Sequence, residues 1–448
     1  MKINLLKKVL KSTAANLIAA FLMSGAVQES NAVTFLWNNT GTNWTSPTSW
    51  TNGAQPTATT SSGTDVVQFS NLGESNNRVE LTSNRTPQKL EFLSTANAYT
   101  FTSTWNKLLE ISSGGLTNAS ASAQIFDVTV NQSLPSSNGN LAWYTGTGSS
   151  LIFNKQVGLT TATGTTARSL TLTGDGTYTF NGNVINNGNL VNNLANAKLI
   201  YTGGGTMNLN GTNTIGFDSQ SSSGLLVSGT GNVVVGAGGL LNVSSSQTHV
   251  NSGVLKVQGT AGKVLVEGTG TVWIDNGTIG NTTVSAGGIL KGTGTTGDLT
   301  LNGGTLAPGN SPGLLTVANL NGNNGIFAFE LGAPTNRGVT YDAIDVSGLL
   351  TLGSQTTWLF SVLDNYAYQN TDAYDLFNFG SIDAAAFDST VLLAALPTLD
   401  AGLQWNVSSF TTDGVVNVIP EPSVSTLFLG GAICLVILRG CSRRKNNN

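Results

Sequence analysis

The chain has 448 residues with a formal net charge of −4, and only 9% of its residues are charged, against about 25% in an ordinary soluble domain. The bases concentrate at the two termini, so no electrostatic footprint for nucleic acid exists along the body, and nucleic acid is excluded as a partner. With 55 Gly, 10 Pro and few helix-forming charged residues, closely spaced turns are favoured over helix. Disorder is excluded too, because the 39% of hydrophobic residues recur as short β-branched and Leu-rich runs.

Lys2, Lys7, Lys8 and Lys11 open the chain without an acid, and residues 14–26 are mostly apolar, broken only by Asn16, Ser24 and Gly25. This is the layout of a secretory signal peptide, which implies a Sec translocon and a signal peptidase as partners. Small residues allow cleavage after Ala26 or Ala32. Ala32 is favoured because an extended run, residues 33–37, follows at once, making 1–32 the signal peptide. Residues 33–200 form a β-rich, solenoid-like section opened by Trp37, Trp44 and Trp50, which are expected to cover an open end of the stack. Both cysteines, Cys434 and Cys441, lie near the C-terminus, so the body has no disulfide.

From about residue 225, short runs such as Leu225-Leu226-Val227, Val233-Val234-Val235 and Val264-Leu265-Val266 alternate with Gly/Asn/Ser turns roughly every ten residues. An all-β sandwich or a coiled β-solenoid has this spacing. Recurring Gly-Gly, Gly-Thr-Gly and Asn-Gly turns, a short sustained period and strands of three to five residues favour the solenoid. Rungs would stack at about 4.8 Å, letting Asn and Thr at equivalent positions form ladders along the axis.

Gly203-Gly204-Gly205-Thr206-Met207-Asn208-Leu209-Asn210, Thr283-Val284-Ser285-Ala286-Gly287-Gly288 and, most specifically, the string Leu306-Ala307-Pro308-Gly309-Asn310-Ser311-Pro312-Gly313 carry a resemblance. They resemble the autotransporter-associated β-strand repeat over residues 201–350, which implies a right-handed parallel β-helix passenger. The chain departs from the pattern at residues 216–223 and, more loosely, before residue 200. No membrane barrel of alternating strands precedes Pro420. Residues 351–418, with Trp358, Phe360, Tyr374, Phe377 and Trp405, are expected to be a β-rich section closing the far end.

Candidate chemistry is sparse. His249, the single histidine, is placed on a solvated turn, which leaves no Ser-His-Asp or His/Cys metal arrangement to build on. Gly292, Gly294 and Gly297 match a dinucleotide fingerprint in letters only, since Asp298 and Leu299 continue as strand where a helix is required. Asp342 and Asp345 stand an odd number of residues apart and so point to opposite faces of a strand. Asp364, Asp372, Asp375, Asp383 and Asp388 fit neither known calcium spacing and read as a solvated acidic surface. No catalytic residue, cofactor or metal is expected.

The tail begins with Pro420-Glu421-Pro422; an uncharged apolar run of residues 424–438 follows, then Arg439, Arg443 and Arg444. A helix there must start after Pro422 and covers about 22 Å, short of the roughly 30 Å hydrocarbon core, with the arginines held in the cytoplasm. Residues 419–448 closely resemble the PEP-CTERM sorting signal, whose partner is exosortase. The resemblance implies export, transient anchoring in the inner membrane of a Gram-negative bacterium, and processing at Pro420-Glu421-Pro422 toward the cell surface or extracellular matrix. The expected function is that of a structural or adhesion protein, with exopolysaccharide as a candidate partner; a secreted β-helix polysaccharide lyase or hydrolase is the alternative.

Overall fold

Alternation of apolar and polar residues sets the strands. Val66–Phe69, Lys89–Phe92 and Ser150–Phe153 each bury every second side chain, the pattern of a sheet with one face in a core. The computed structural model describes residues 32–56, 64–71, 77–133, 140–159, 168–186, 197–215, 224–242 and 247–422. Within them 34 strands join one sheet whose named pairings are all parallel, coiling three strands to a rung. On the first face Lys89–Phe92, Gly115–Asn118, Asn140–Thr145, Arg168–Thr173 and Ala197–Tyr201 follow one another. On the second, Ala123–Phe126, Ser150–Phe153, Thr177–Phe180 and Thr206–Leu209 do so; on the third, Leu108–Ile111, Thr129–Gln132 and Val157–Gly158. The pairing is unbroken through Ala197–Tyr201 and Ala343–Thr351, the strands that cross residues 200 and 350.

Because parallel strands lie about 4.8 Å apart, each inward side chain rests on its equivalent one rung below. Phe101, Phe126, Phe153 and Phe180 occupy one such column, fully buried, with ring centroids 4.8, 4.9 and 5.1 Å apart and planes within 16°. Leu209, Val235, Val257 and Ile274 continue it. Outside, at the turn after this strand, Asn154 donates to Asp127 (2.6 Å), Asn181 to Asn154 (2.8 Å) and Asn210 to Asn181 (2.9 Å), an amide ladder along the axis. The turn before the strand is as tightly stacked. A Cβ on Gly205 would run into the carbonyl oxygen of Gly176, and one on Gly231 into that of Gly205, so the Gly-rich strings mark backbone-on-backbone contact.

The rung shortens along the chain. Laddered partners stand 29 residues apart at Asn181 and Asn210 but 17 apart at Asn281 and Asp298. The expected strands of three to five residues therefore fail in this part. Thr271–Ile279, Ile289–Thr296, Leu299–Pro308 and Leu320–Leu331 span 8 to 12 residues, because each runs round a corner that longer rungs take with a loop. Thr271–Ile279 pairs with Val254–Val257 and then with Thr260–Ala261, bending between Asp275 and Gly277 where Asn276 has φ +59°.

Both ends are covered. Trp37, Trp44 and Trp50 are buried in edge-to-face contact, Trp50 lying 5.0 Å from Trp37 and 5.3 Å from Trp44 between centroids, and the Trp50 indole donates to the Trp44 carbonyl. At the other end the stack finishes with Thr357–Val362 and Phe377–Asp383. A separate antiparallel sheet follows, Ala373–Asp375 and Leu403–Asn406 flanking Val415–Pro420. Two short helices, unexpected from the composition, belong to this cap: Ser389–Ala395, whose first turn is capped by the Asp388 carboxylate, and Phe410–Asp413, ended by Gly414 in the left-handed region. Arg337 ties stack to cap, pairing with Asp345 (2.7 Å) and Asp375 (3.1 Å) and donating to the Ile344 carbonyl.

Among the described residues no helix is long and apolar enough to cross a membrane. The predicted apolar helix of residues 424–438, with Arg439, Arg443 and Arg444, lies outside them, as do the predicted interruption at 216–223 and most of the predicted signal peptide.

Removing one ring from the aromatic column leaves a gap that neighbours on fixed rungs cannot close. Phe153→Ala should lower the unfolding free energy by about 3–5 kcal/mol, read by urea unfolding followed by circular dichroism. A loss below about 1 kcal/mol would mean that this column is loosely packed.

Candidate functional site

The second face carries an outward column alongside its buried one. Lys256, Trp273, Lys291 and Ala307 pair in register, Ala328 comes next, and Leu359 pairs with Ala328. The ammonium of Lys256 sits 4.0 Å from the Trp273 ring centroid and that of Lys291 5.2 Å from it, so the indole separates two cations. Lys256 also pairs with Asp275 at 2.9 Å, whose carboxyl is held below its usual range mainly by that lysine and by Gln258. Lys291 makes no ion pair among those found for the described residues.

Two alanines then succeed each other where neighbours are large, leaving a depression between Lys291 and Leu359. The Leu306–Gly313 string walls it. Gly309 donates to the Gly292 carbonyl (2.8 Å), and the chain folds so tightly that a Cβ on Gly309 would collide with the backbone nitrogen of Gly313. Ser311 is held at φ +93°, outside the regions a side chain prefers. The result is an open cleft of about 370 Å³, within the size range of small-molecule sites.

Two carboxyl groups line it. Asp342 is 1% exposed and accepts from the backbone N–H of Gly313 (2.7 Å) and of Glu330 (2.8 Å), pinning the end of the loop to the neighbouring strand. Burial pushes its carboxyl up to about 7; the two N–H bonds oppose this and the charge of Glu330 adds to it. Glu330 stands on an outward position of Leu320–Leu331, and its Oε2 is buried without a hydrogen-bond partner. Such an oxygen costs free energy unless something donates to it.

The sequence reasoning missed Glu330 and Lys291. The detectable signal was an acid at an outward position of the otherwise apolar run Ile326-Phe327-Ala328-Phe329-Glu330-Leu331. Asp342 lies just before the strand Ala343–Thr351 rather than in it, and Asp345, inside that strand, is engaged by Arg337. His249 is not on a turn: it lies in Thr248–Val250 and meets Glu267 at 2.9 Å, because the shortened rung brings a strand to that position. Gly292 and Gly294 sit inside Ile289–Thr296, with φ values of +113° and +129°.

The five aspartates foreseen as an acidic surface are scattered. Asp372 accepts from the Gln369 N–H, Asp375 meets Arg337 and Asp388 caps a helix. No group of ligands able to hold a metal occurs among the described residues. Ala32 lies two residues before the strand Thr34–Leu36, and Pro420, Glu421 and Pro422 are exposed at the end of Val415–Pro420.

Fold and cleft define the class: a capped parallel β-solenoid with an open cleft on its second face. No protein-family model matches the sequence, and no curated protein proves similar to it.

The Asp342 carboxyl binds its proton more tightly folded than unfolded, since its value of about 7 lies above the ordinary 3.8. Its contribution is therefore fully present below about pH 4 and is lost as pH rises through 7. Urea unfolding at a series of pH values should show stability falling over this window, and Asp342→Asn should flatten that part of the profile. An unchanged slope in the variant would assign the titration to another group.

Proposed function

We propose that the chain is an exported structural or adhesion protein of a bacterial surface or extracellular matrix, carried by a PEP-CTERM signal and released by exosortase. In this reading residues 1–32 are removed by signal peptidase after Sec export, and residues 424–438 hold the protein in the inner membrane until Pro420-Glu421-Pro422 is processed. The observation that carries it is the architecture: a rod-like stack, closed at both ends, whose polar exterior is built from amides and hydroxyls. Such an array presents a long, weakly charged surface and grows in one dimension. The exposure of Pro420, Glu421 and Pro422 beyond the cap sheet supports access by a processing enzyme. The coil is taken as right-handed, following the crossover rule for parallel strands.

A second reading, a polysaccharide lyase or hydrolase, is favoured by the carboxyl groups of Glu330 and Asp342 in one cleft. Both oxygens of Asp342 are already held by backbone N–H groups, which suits a positioning role better than proton transfer. Turnover in a screen of neutral and anionic polysaccharides would establish the enzyme.

Replacing Pro420, Glu421 and Pro422 together by alanine should leave export intact and trap the protein in the inner membrane, read by fractionation and immunoblot. Mass spectrometry of surface material from the unaltered strain should give no peptide beyond the motif. Peptides reaching Lys445 outside the cell would mean that the tail is a plain anchor.

A further inference from the structure

We propose that the cleft beside residues 308–311 binds a neutral hexose unit of a polysaccharide chain, with Glu330 as the hydroxyl acceptor. The inference rests on the matrix reading only for where the ligand would be met.

Four features set the ligand. Glu330 lines the cleft with a carboxylate that makes no ion pair among the described residues, its inner Oε2 lying buried without a protein donor, so O–H or N–H groups of a ligand are what this carboxylate can accept. A pyranose hydroxyl suits a carboxylate as a donor, and charge assistance makes such a bond stronger than a neutral one. Lys291, at the rim, is a donor free to meet a third ligand oxygen. Ala307 and Ala328 leave room on the floor, and Leu359, 53% exposed, offers an apolar surface for the C–H face of a sugar ring.

Charge narrows the class. An anionic sugar would face the charge of Glu330 inside the cleft, and a cationic ligand would meet the ammonium of Lys291 at its entrance. A neutral, polyhydroxylated ring satisfies both ends without either repulsion. The cleft is open along the outward column, so a ring can enter as part of a longer chain rather than as a free monosaccharide. Asp342 acts as a positioning residue, fixing wall to floor through Gly313 and Glu330.

The test is titration calorimetry of the full chain in a detergent without a sugar headgroup, using cellohexaose, laminarihexaose, maltohexaose and, as the anionic comparison, a galacturonate hexamer. Saturable binding of at least one neutral hexamer is expected, with the galacturonate weaker. Glu330→Gln should weaken binding about tenfold, and Ala328→Trp, which fills the depression from the outward side, should abolish it. Circular dichroism and melting temperature serve as fold controls, and Glu330→Gln keeps the test alive should the Trp variant misfold. The proposal is overturned if none of the three neutral hexamers binds, if the galacturonate binds as tightly as they do, or if binding survives unchanged in Glu330→Gln. Failure here leaves the export reading standing, since that reading is decided by fractionation and peptide recovery; binding by a chain that never leaves the inner membrane would do the reverse.

Discussion

The spacing between rungs governs this protein. Hydrogen bonds between parallel strands run along the axis and place every residue about 4.8 Å from its counterpart, so a residue is chosen largely for what stacks on itself. Phenylalanines stack as offset rings, asparagines pass an amide bond from rung to rung, and glycines let backbone lie on backbone. Like charges are what this geometry tolerates least. Two of them at that distance repel by about 1 kcal/mol even at the dielectric of water, and more against a protein wall. A chain with 9% charged residues is the outcome, and its exceptions follow the same rule. Trp273 separates Lys256 from Lys291, and Asp298 lies between Asn281 and Asn319.

The cleft is where stacking gives way to shape. Two small side chains in successive rungs open a floor, and a loop folded tightly enough to need glycine at both 309 and 313 supplies a wall. Ser311 in the left-handed region and a buried carboxylate oxygen without a donor are costs that repetition alone does not require. The same loop is the Leu306–Gly313 string, the most Gly- and Pro-dense stretch beside the cleft. Its conformation and the cleft therefore have one origin, the loop of residues 308–313 that leaves the rung and returns to it with Gly309 against Gly313.

Much of the β architecture was legible from residues because short apolar runs recurring between regular Gly turns suit a coiled chain of strands. The aromatic column was equally open to discovery, since Phe126, Phe153 and Phe180 recur at equal intervals, yet an interval of a whole rung lies beyond a search for repeats of about ten residues. Strand length was misjudged after Val264–Val266, because a strand bent around a corner looks in sequence like two strands and a turn. His249 was placed on a turn for the related reason that Ser and Gln before it resemble loop composition. The cleft escaped because its parts, Lys291 on one rung and Glu330 and Asp342 on another two rungs along, meet only after coiling. Helices in the cap were masked by a composition averaged over the whole chain.

The direction of the rung bonds has a mechanical meaning. In a sheet pulled along its strands many bonds resist together, but here a pull between the two ends of the stack acts along the bonds themselves, so rungs detach singly and in order. Each released rung pays out a length set by its residue count, roughly 60 Å for the short rungs and roughly 100 Å for the long ones at about 3.4 Å per residue. Arg337, clamped to Asp345 and Asp375, and the buried tryptophans at the opposite end mark the points where such unravelling must begin. A rod of this kind yields under load by lengthening in steps, as a tether does, rather than by breaking.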